Sequence, residues 1–331
     1  AVATAVVVAV VSAVLAWGWR WTESVCFSRV DDPWATTGGV PITSIQELPA
    51  SEVWRVPEFK RRGLPVVVRG ALNGSDSVVL GDWTPAALAG MFGHNSIEVQ
   101  LGNVEQEDTR LQDVSLGEFL THLDDDAWLD AHAGAGGKRP YVAESADLFY
   151  VEPRLFGEAN RLLAAAGMRD SRWLLYQHLF WMGPEGAVTG LHADIDPLNM
   201  LYQMYGRKTI WLFPITETPL LYQSEKYDFG ATLSHVDPFN PDLERFPLYA
   251  QAKPLPVTVT AGDVLFVPPH WYHYARSLSV SISVSVRLFT LCESMALGPW
   301  SVMEAAHMAG LYRPAAGCVC HASEGEAGSP Y

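Results

Sequence analysis

Hydrophobic and polar positions divide the chain into stretches of different rhythm. Ala1 to Trp19 carries no charge, and only Thr4 and Ser12 are clearly polar. As a helix this stretch would be about 28 Å long, close to a bilayer's hydrocarbon core. Trp17, Trp19, Arg20 and Trp21 supply the aromatic and basic edge expected at a membrane interface. The expectation is a transmembrane anchor over residues 1–21. Its rival is a cleaved signal peptide, for which Ala16-Trp17-Gly18 offers a small-x-small site. Residues 22–54, with Pro33, Gly38, Gly39 and Pro41, read as a linker.

Between residues 55 and 172 the pattern is mixed. Leu64 to Arg69 (LPVVVR) and Ser96 to Leu101 (SIEVQL) read as strands. Asp82 to Phe92 reads as a helix with Thr84 as a cap and Pro85 in the first turn. Ser115 to Leu123 has helical spacing and a capping signal in Ser115 and Glu118. Ala133 to Lys138 is a glycine-rich loop. From Trp173 onward short strands alternate with turns. The predicted strands are Leu174–Trp181, Thr189–His192, Met200–Tyr205, Thr209–Phe213, Leu255–Val259, Val264–Val267 and Val280–Phe289. That spacing predicts a mainly β sandwich or barrel with flanking helices. Trp300 to Leu311 reads as a final helix and Gly317 to Tyr331 as a flexible tail, both within 296–331.

Composition narrows the function classes. Lys and Arg total 22 against 37 Asp and Glu, a formal charge of −15. Such a surface repels phosphate backbones, so nucleic acid is not an expected partner, whereas a basic peptide would be attracted. Four cysteines are too few for a disulfide scaffold. Cys318, Cys320 and His321 give only three close donors and no second cluster, so a zinc site is not expected there.

The segment from Trp181 to Pro214 contains His192-Ala193-Asp194. On an extended chain residues i and i+2 point to one side, so an imidazole and a carboxylate converge from one strand end. A third ligand is available in Ala261 to His273, where His270 and His273 compete. On a regular strand those two face opposite sides. Two histidines and one carboxylate form the facial triad of non-haem Fe(II) oxygenases, which leaves metal positions open for reactants. A second such pattern, His235-Val236-Asp237, lies in a turn-rich stretch with Pro238 and Pro241 and is not expected to bind metal.

Several segments carry a resemblance in order: Pro65–Gly70, Gly183–His192 (GPEGAVTGLH), Gln203–Pro214 (QMYGRKTIWLFP), Val236–Pro247, Gly262–His273 and Ser277–Phe289. Together they resemble the JmjC, cupin-like family of Fe(II)/2-oxoglutarate-dependent oxygenases. They are most similar to its small hydroxylase branch, typified by the asparaginyl hydroxylase factor inhibiting HIF. The resemblance covers about residues 55 to 295 and implies a double-stranded β-helix (jelly-roll) fold for that domain. It selects His273 as the third ligand, with His192 and Asp194. It implies that Lys208 pairs with the far carboxylate of 2-oxoglutarate and that Thr189 and Tyr141 contact the same carboxylate. Lys208 stands one residue further from His192 than in the nearest pattern. The extra residue falls near Asp196-Pro197-Leu198, so Asn199 is a secondary candidate. Ser285 occupies a place where the nearest hydroxylase has Asn. Arg207, next to Lys208 on the opposite strand face, reads as a surface residue.

The implied cofactors are Fe(II), 2-oxoglutarate and O2, and the implied reaction is hydroxylation of a protein or peptide side chain with release of succinate and CO2. Two alternatives stand beside it: an N-methyl-lysine demethylase of the same family, and a non-catalytic cupin-like binding protein. The apolar segment adds an expected single-pass membrane location, in the secretory pathway (endoplasmic reticulum or Golgi) with a lumenal catalytic domain.

Overall fold

A computed structural model describes residues 42–73, 79–101, 110–134, 137–165, 173–226 and 230–290, with a few positions between 302 and 311. The expected anchor at 1–21, the chain's last stretch from 312 and half of the expected final helix lie outside the described residues. Among the described residues no helix is long and apolar enough to cross a membrane.

Fourteen strands are named here in chain order. The first five are β1 (Gln46–Pro49), β2 (Val66–Arg69), β3 (Ser96–Leu101), β4 (Arg110–Ser115) and β5 (Val142–Ser145). Then come β6 (Trp173–Gly183), β7 (Val188–Asp194), β8 (Asn199–Tyr205), β9 (Arg207–Phe213) and β10 (Ala231–Leu233). The last four are β11 (Leu255–Thr260), β12 (Val264–Val267), β13 (Tyr272–Ser277) and β14 (Ser281–Thr290). A large sheet has the order β1-β2-β12-β8-β14-β6-β5, and a smaller one β10-β7-β13-β9-β11. β3 and β4 form a separate hairpin. Apart from the parallel β1/β2 pair, neighbours in the two sheets run antiparallel. This is the mainly β architecture that the strand spacing predicts, in the jelly-roll form that the family resemblance implies.

Alternation along β14 shows how the layers form. Ile282, Val284, Val286 and Leu288 are fully buried in the main apolar core. Ser281, Ser283, Ser285 and Arg287 occupy the alternate face, as the two-residue period of a strand requires. The apolar face packs toward helices α1 (Val56–Arg62), α2 (Pro85–Phe92), α3 (Leu116–Thr121), α4 (Asp126–Ala131), α5 (Asp147–Val151) and α6 (Pro153–Ala165), whose Phe59, Phe92, Phe119 and Phe149 share that core. Stacking of Phe149 on Phe180 of β6, with centroids 4.4 Å apart, fixes α5 against the sheet. The other face looks toward the small sheet.

Some expected elements shift for identifiable reasons. The helix expected from Asp82 begins at Pro85, because Pro85 holds Thr84 in an extended conformation (ψ 154°) and a short 3₁₀ turn precedes it. Thr84 caps α2 by accepting from the Ala87 amide at 3.2 Å, and Ser115 caps α3 through the Glu118 amide at 3.1 Å. Residues 46–49, inside the stretch read as a linker, are β1 at the edge of the large sheet. β13, which the hydropathy pattern does not single out, is a central strand of the small sheet.

Candidate functional site

The two sheets face each other across a cavity. The large sheet lines it with Trp181 (β6), Asn199 and Leu201 (β8) and Ser285 (β14), and the small one with His192 (β7), Lys208 (β9) and His273 (β13). β7 and β13 lie side by side with His273 directly opposite His192. Asp194 follows on the same face of β7. Ligand atoms of His192, Asp194 and His273 all lie within 4.8 Å of one another, and among the described residues no other group of three or more His, Cys, Asp or Glu is so placed. His192 Nε2 is 3.7 Å from Asp194 Oδ1, and His273 Nε2 is 3.8 Å from Asp194 Oδ2.

Both imidazoles are oriented by backbone. His192 Nδ1 lies 2.9 Å from the Gly190 carbonyl oxygen, and His273 Nδ1 lies 3.0 Å from that of Trp271. A carbonyl only accepts, so each Nδ1 carries a proton and Nε2 of each ring is the nitrogen turned toward Asp194. Burial, then the neighbouring His192, push His273 down to about 4, which keeps it neutral at pH 7. Burial alone would raise Asp194, but Arg287, the two histidines and the Asn199 amide offset it and hold its carboxyl below the usual range. Asn199 donates to Asp194 Oδ2 at 2.8 Å. Two imidazoles that turn Nε2 to one carboxylate, each held by a second partner, fit a divalent transition metal.

Thr189 is three residues before His192, so on a regular strand it would face away. A β-bulge corrects this: His273 pairs with His192 while Ala275 pairs with Thr189, three steps along β7 matching two along β13. Thr189 therefore lines the same cavity. It hydrogen-bonds the hydroxyl of Tyr141, whose own acidity is suppressed by burial. Lys208 Nζ donates to that hydroxyl at 3.2 Å. Lys208 is buried, no carboxylate pairs with it among the described residues, and burial pushes it down to about 7. Its place is set by Gly206, whose φ of +67° makes the β8/β9 turn and where a Cβ would meet the Val280 carbonyl oxygen at 1.8 Å. Tyr141 is held by two backbone hydrogen bonds with Gln100, and its ring passes over Gly183, where a Cβ would lie 2.6 Å from it.

The competing residues separate cleanly. His270 is exposed, sits at a φ of +63° in the turn before β13, and contributes its amide to the Asp194 carbonyl at 2.8 Å. His235 faces Glu225 at 3.5 Å, and Asp237 closes a local turn by accepting from the Phe239 amide. Arg207 is exposed. Ser285 accepts from Trp181 Nε1 at 2.8 Å within the cavity. Sequence reasoning missed Trp181 and, beside Asp194, the cluster of Arg287, Asp196 and Glu144, in which burial pushes the Asp196 carboxyl up to about 7. Strand parity could have found Arg287, since it follows Ser285 by two on β14 and must share its face. A larger cleft of about 910 Å³ lies at the other end of the β7/β13 pair, by Val188 and Arg276, and holds none of the triad.

Set against known proteins, residues 54–289 match the cupin-like domain family, and the chain belongs to that family of JmjC cupin-like oxygenases. It is 42% identical over 107 residues to HSPB1-associated protein 1 of Rattus norvegicus, covering 32% of this chain and 22% of that protein. It is 41% identical over 105 residues to Lysine-specific demethylase 8 of Xenopus tropicalis (32% and 23%). It is 38% identical over 105 residues to Jumonji C domain-containing protein 5 of Drosophila melanogaster (32% and 26%). The chain thus spans about a quarter of the length of these relatives.

Proposed function

We propose that this protein is an Fe(II)- and 2-oxoglutarate-dependent dioxygenase that hydroxylates a side chain of a protein or peptide. One observation carries the reading: the cavity that holds the His192, Asp194 and His273 donor set also holds a buried lysine that no carboxylate meets among the described residues. His192, Asp194 and His273 would hold Fe(II), and Lys208, Thr189 and Tyr141 would hold the far carboxylate of 2-oxoglutarate. When bound, Fe(II) supplies the oxidative chemistry that couples O2 and 2-oxoglutarate to C–H hydroxylation, giving succinate and CO2. The chain's own residues bind, orient and exclude water. Lys208 would meet a dicarboxylate as a buried point charge and regain its proton by doing so. Tyr141 and Thr189 would complete the carboxylate's hydrogen bonds. Asn199 keeps the Asp194 carboxylate in place, and Trp181 with Leu201 walls the cavity with apolar surface.

A basic peptide is the substrate class favoured by the charge of −15. The relative named as a lysine-specific demethylase motivates a second reading, in which the hydroxylated carbon is an N-methyl group lost as formaldehyde. Both readings predict succinate release from Fe(II)-loaded protein across a peptide library. Retained mass of +16 Da on the product, as expected for one added oxygen, supports hydroxylation, whereas formaldehyde supports demethylation. Succinate release that persists in His192→Ala would overturn either.

The location proposed rests on sequence alone: residues 1–21 anchor the chain, with the domain on the lumenal side. Carbonate extraction should leave full-length protein in the membrane pellet, and its release into the supernatant would contradict the anchor.

A further inference from the structure

Beside Asp194 lies an ion cluster that the chemistry above does not use. Arg287 projects from the cavity face of β14 and is buried. Its Nε is 3.0 Å from Asp196 Oδ2, and a terminal nitrogen contacts Glu144 Oε1 while standing 3.7 Å from Asp194 Oδ1. One guanidinium therefore faces three carboxylates. The contact with Asp196 is an ion contact without hydrogen-bond alignment. Across the ladder from Arg287 stands Asn199, which donates to the other Asp194 oxygen. Two cross-strand neighbours of the large sheet thus address the two oxygens of a carboxylate that comes from the small sheet.

Glu144 shows that this cluster is held at some cost. Its φ is +54°, the left-handed region that a non-glycine residue occupies only when its surroundings fix it. The β5/β6 pairing slips between Val142 and Ser145, around Glu144. Its side chain is 48% exposed, so it reaches Arg287 from the protein surface.

Without the guanidinium, Asp194, Asp196 and Glu144 would lose the cation that all three face. A site rich in carboxylate oxygens suits Mn(II), Mg(II) or Ca(II), whereas imidazole suits the later transition metals. Arginine has five donors, no acceptor and no accessible neutral form, so it remains a cation facing Asp196 and Glu144 and cannot itself ligate a metal. We propose that Arg287 is a positioning residue that restricts the metal site to one carboxylate, Asp194, and thereby sets its preference among divalent metals. The inference rests on the metal reading given above.

Co(II) and Mn(II), titrated separately into metal-stripped protein by calorimetry, test it. In Arg287→Met the ratio of the Mn(II) to the Co(II) dissociation constant should fall by about tenfold, the scale of effects from groups just outside a metal's ligands. Arg287→Lys should stay near wild type. Arg287→Met with Asp196→Asn should return toward it, because the released carboxylate is gone. A ratio unchanged in folded Arg287→Met, or both metals weakened equally, would overturn the proposal, since general loosening moves both constants together. Should Arg287→Met fail to fold, the half-exposed Glu144→Ala keeps the test: its ratio should fall by roughly threefold, and an unchanged ratio counts against the proposal. Wild-type protein that binds neither ion would sink the metal reading itself and the proposal with it.

Discussion

The two ends of the cavity treat charge in opposite ways. At the metal end the Asp194 carboxylate meets two imidazoles, the Asn199 amide and the Arg287 guanidinium. At the other end Lys208 has, among the described residues, only the Tyr141 hydroxyl, which lies 3.2 Å from its Nζ. A charge with several partners is part of the resting protein, whereas a buried charge lacking a counter-ion is costly unless something arrives to meet it. On the function proposed above, the metal end is the permanent ligand set and the lysine end meets an incoming anion.

Breaking the metal end should have the largest effect. His192→Ala or Asp194→Ala should lower Fe(II) affinity and succinate release by more than roughly a hundredfold, beyond what groups outside the ligand set do. His235→Ala should leave both unchanged, although His235 sits in the same His-x-Asp pattern. Equilibrium dialysis with Fe(II) and a succinate assay would compare the two, and the reverse order would show that pattern rather than context decides.

Lys208→Ala should separate the ends. Removing one partner of a buried ion pair costs roughly 3–5 kcal/mol, so the KM for 2-oxoglutarate should rise by at least about a hundredfold. Fe(II) affinity should change little. Equal losses in both quantities would mean that the lysine supports the fold rather than the cosubstrate.

Acidity sharpens the same contrast. In the resting protein Lys208 releases its proton at about 7, whereas an unfolded lysine keeps it to about 10.5. Between those values the unfolded chain binds more protons, so this residue makes stability rise with pH across that window. The cost of burying the cation is present in full below pH 7. Binding of a dicarboxylate should therefore take up a proton above pH 7 and weaken by up to about tenfold per pH unit. Lys208→Met should abolish that dependence while raising the melting temperature of the ligand-free protein at pH 6.5 by roughly 2–8 °C. Unchanged melting would contradict the unmet charge. The smallest effect is expected for Tyr141→Phe, where losing one hydrogen bond to the carboxylate, about 1 kcal/mol, should raise the KM several-fold.

How much of this was legible in the sequence follows from what each element depends on. Strand spacing after Trp173 and the Thr84 and Ser115 caps are local signals, and they predicted the mainly β architecture and two helix caps. β13 was not legible as a strand: Tyr272, Tyr274 and Ser277 are buried, while His273, Ala275 and Arg276 are less so, so no plain alternation shows. Its membership depends on pairing with β7 and β9. The inward turn of Thr189 depends on a bulge, which is a property of two strands together. Lys208, Thr189 and Tyr141 were named by resemblance alone, and their meeting in one cluster needs three separate elements. Arg287 was open to a parity argument, but Asp196 and Glu144 reach it from a turn and from a slipped edge strand, positions no periodicity predicts.

The most direct test of the account is anaerobic calorimetry of 2-oxoglutarate against 2-oxobutanoate, which lacks the far carboxylate, on Fe(II)-loaded wild type and Lys208→Ala. The account predicts one 2-oxoglutarate bound per wild-type chain, at least about a hundredfold tighter than 2-oxobutanoate, with that preference lost in Lys208→Ala. Equal affinity of the wild type for both acids, or a preference that survives in Lys208→Ala, would contradict it.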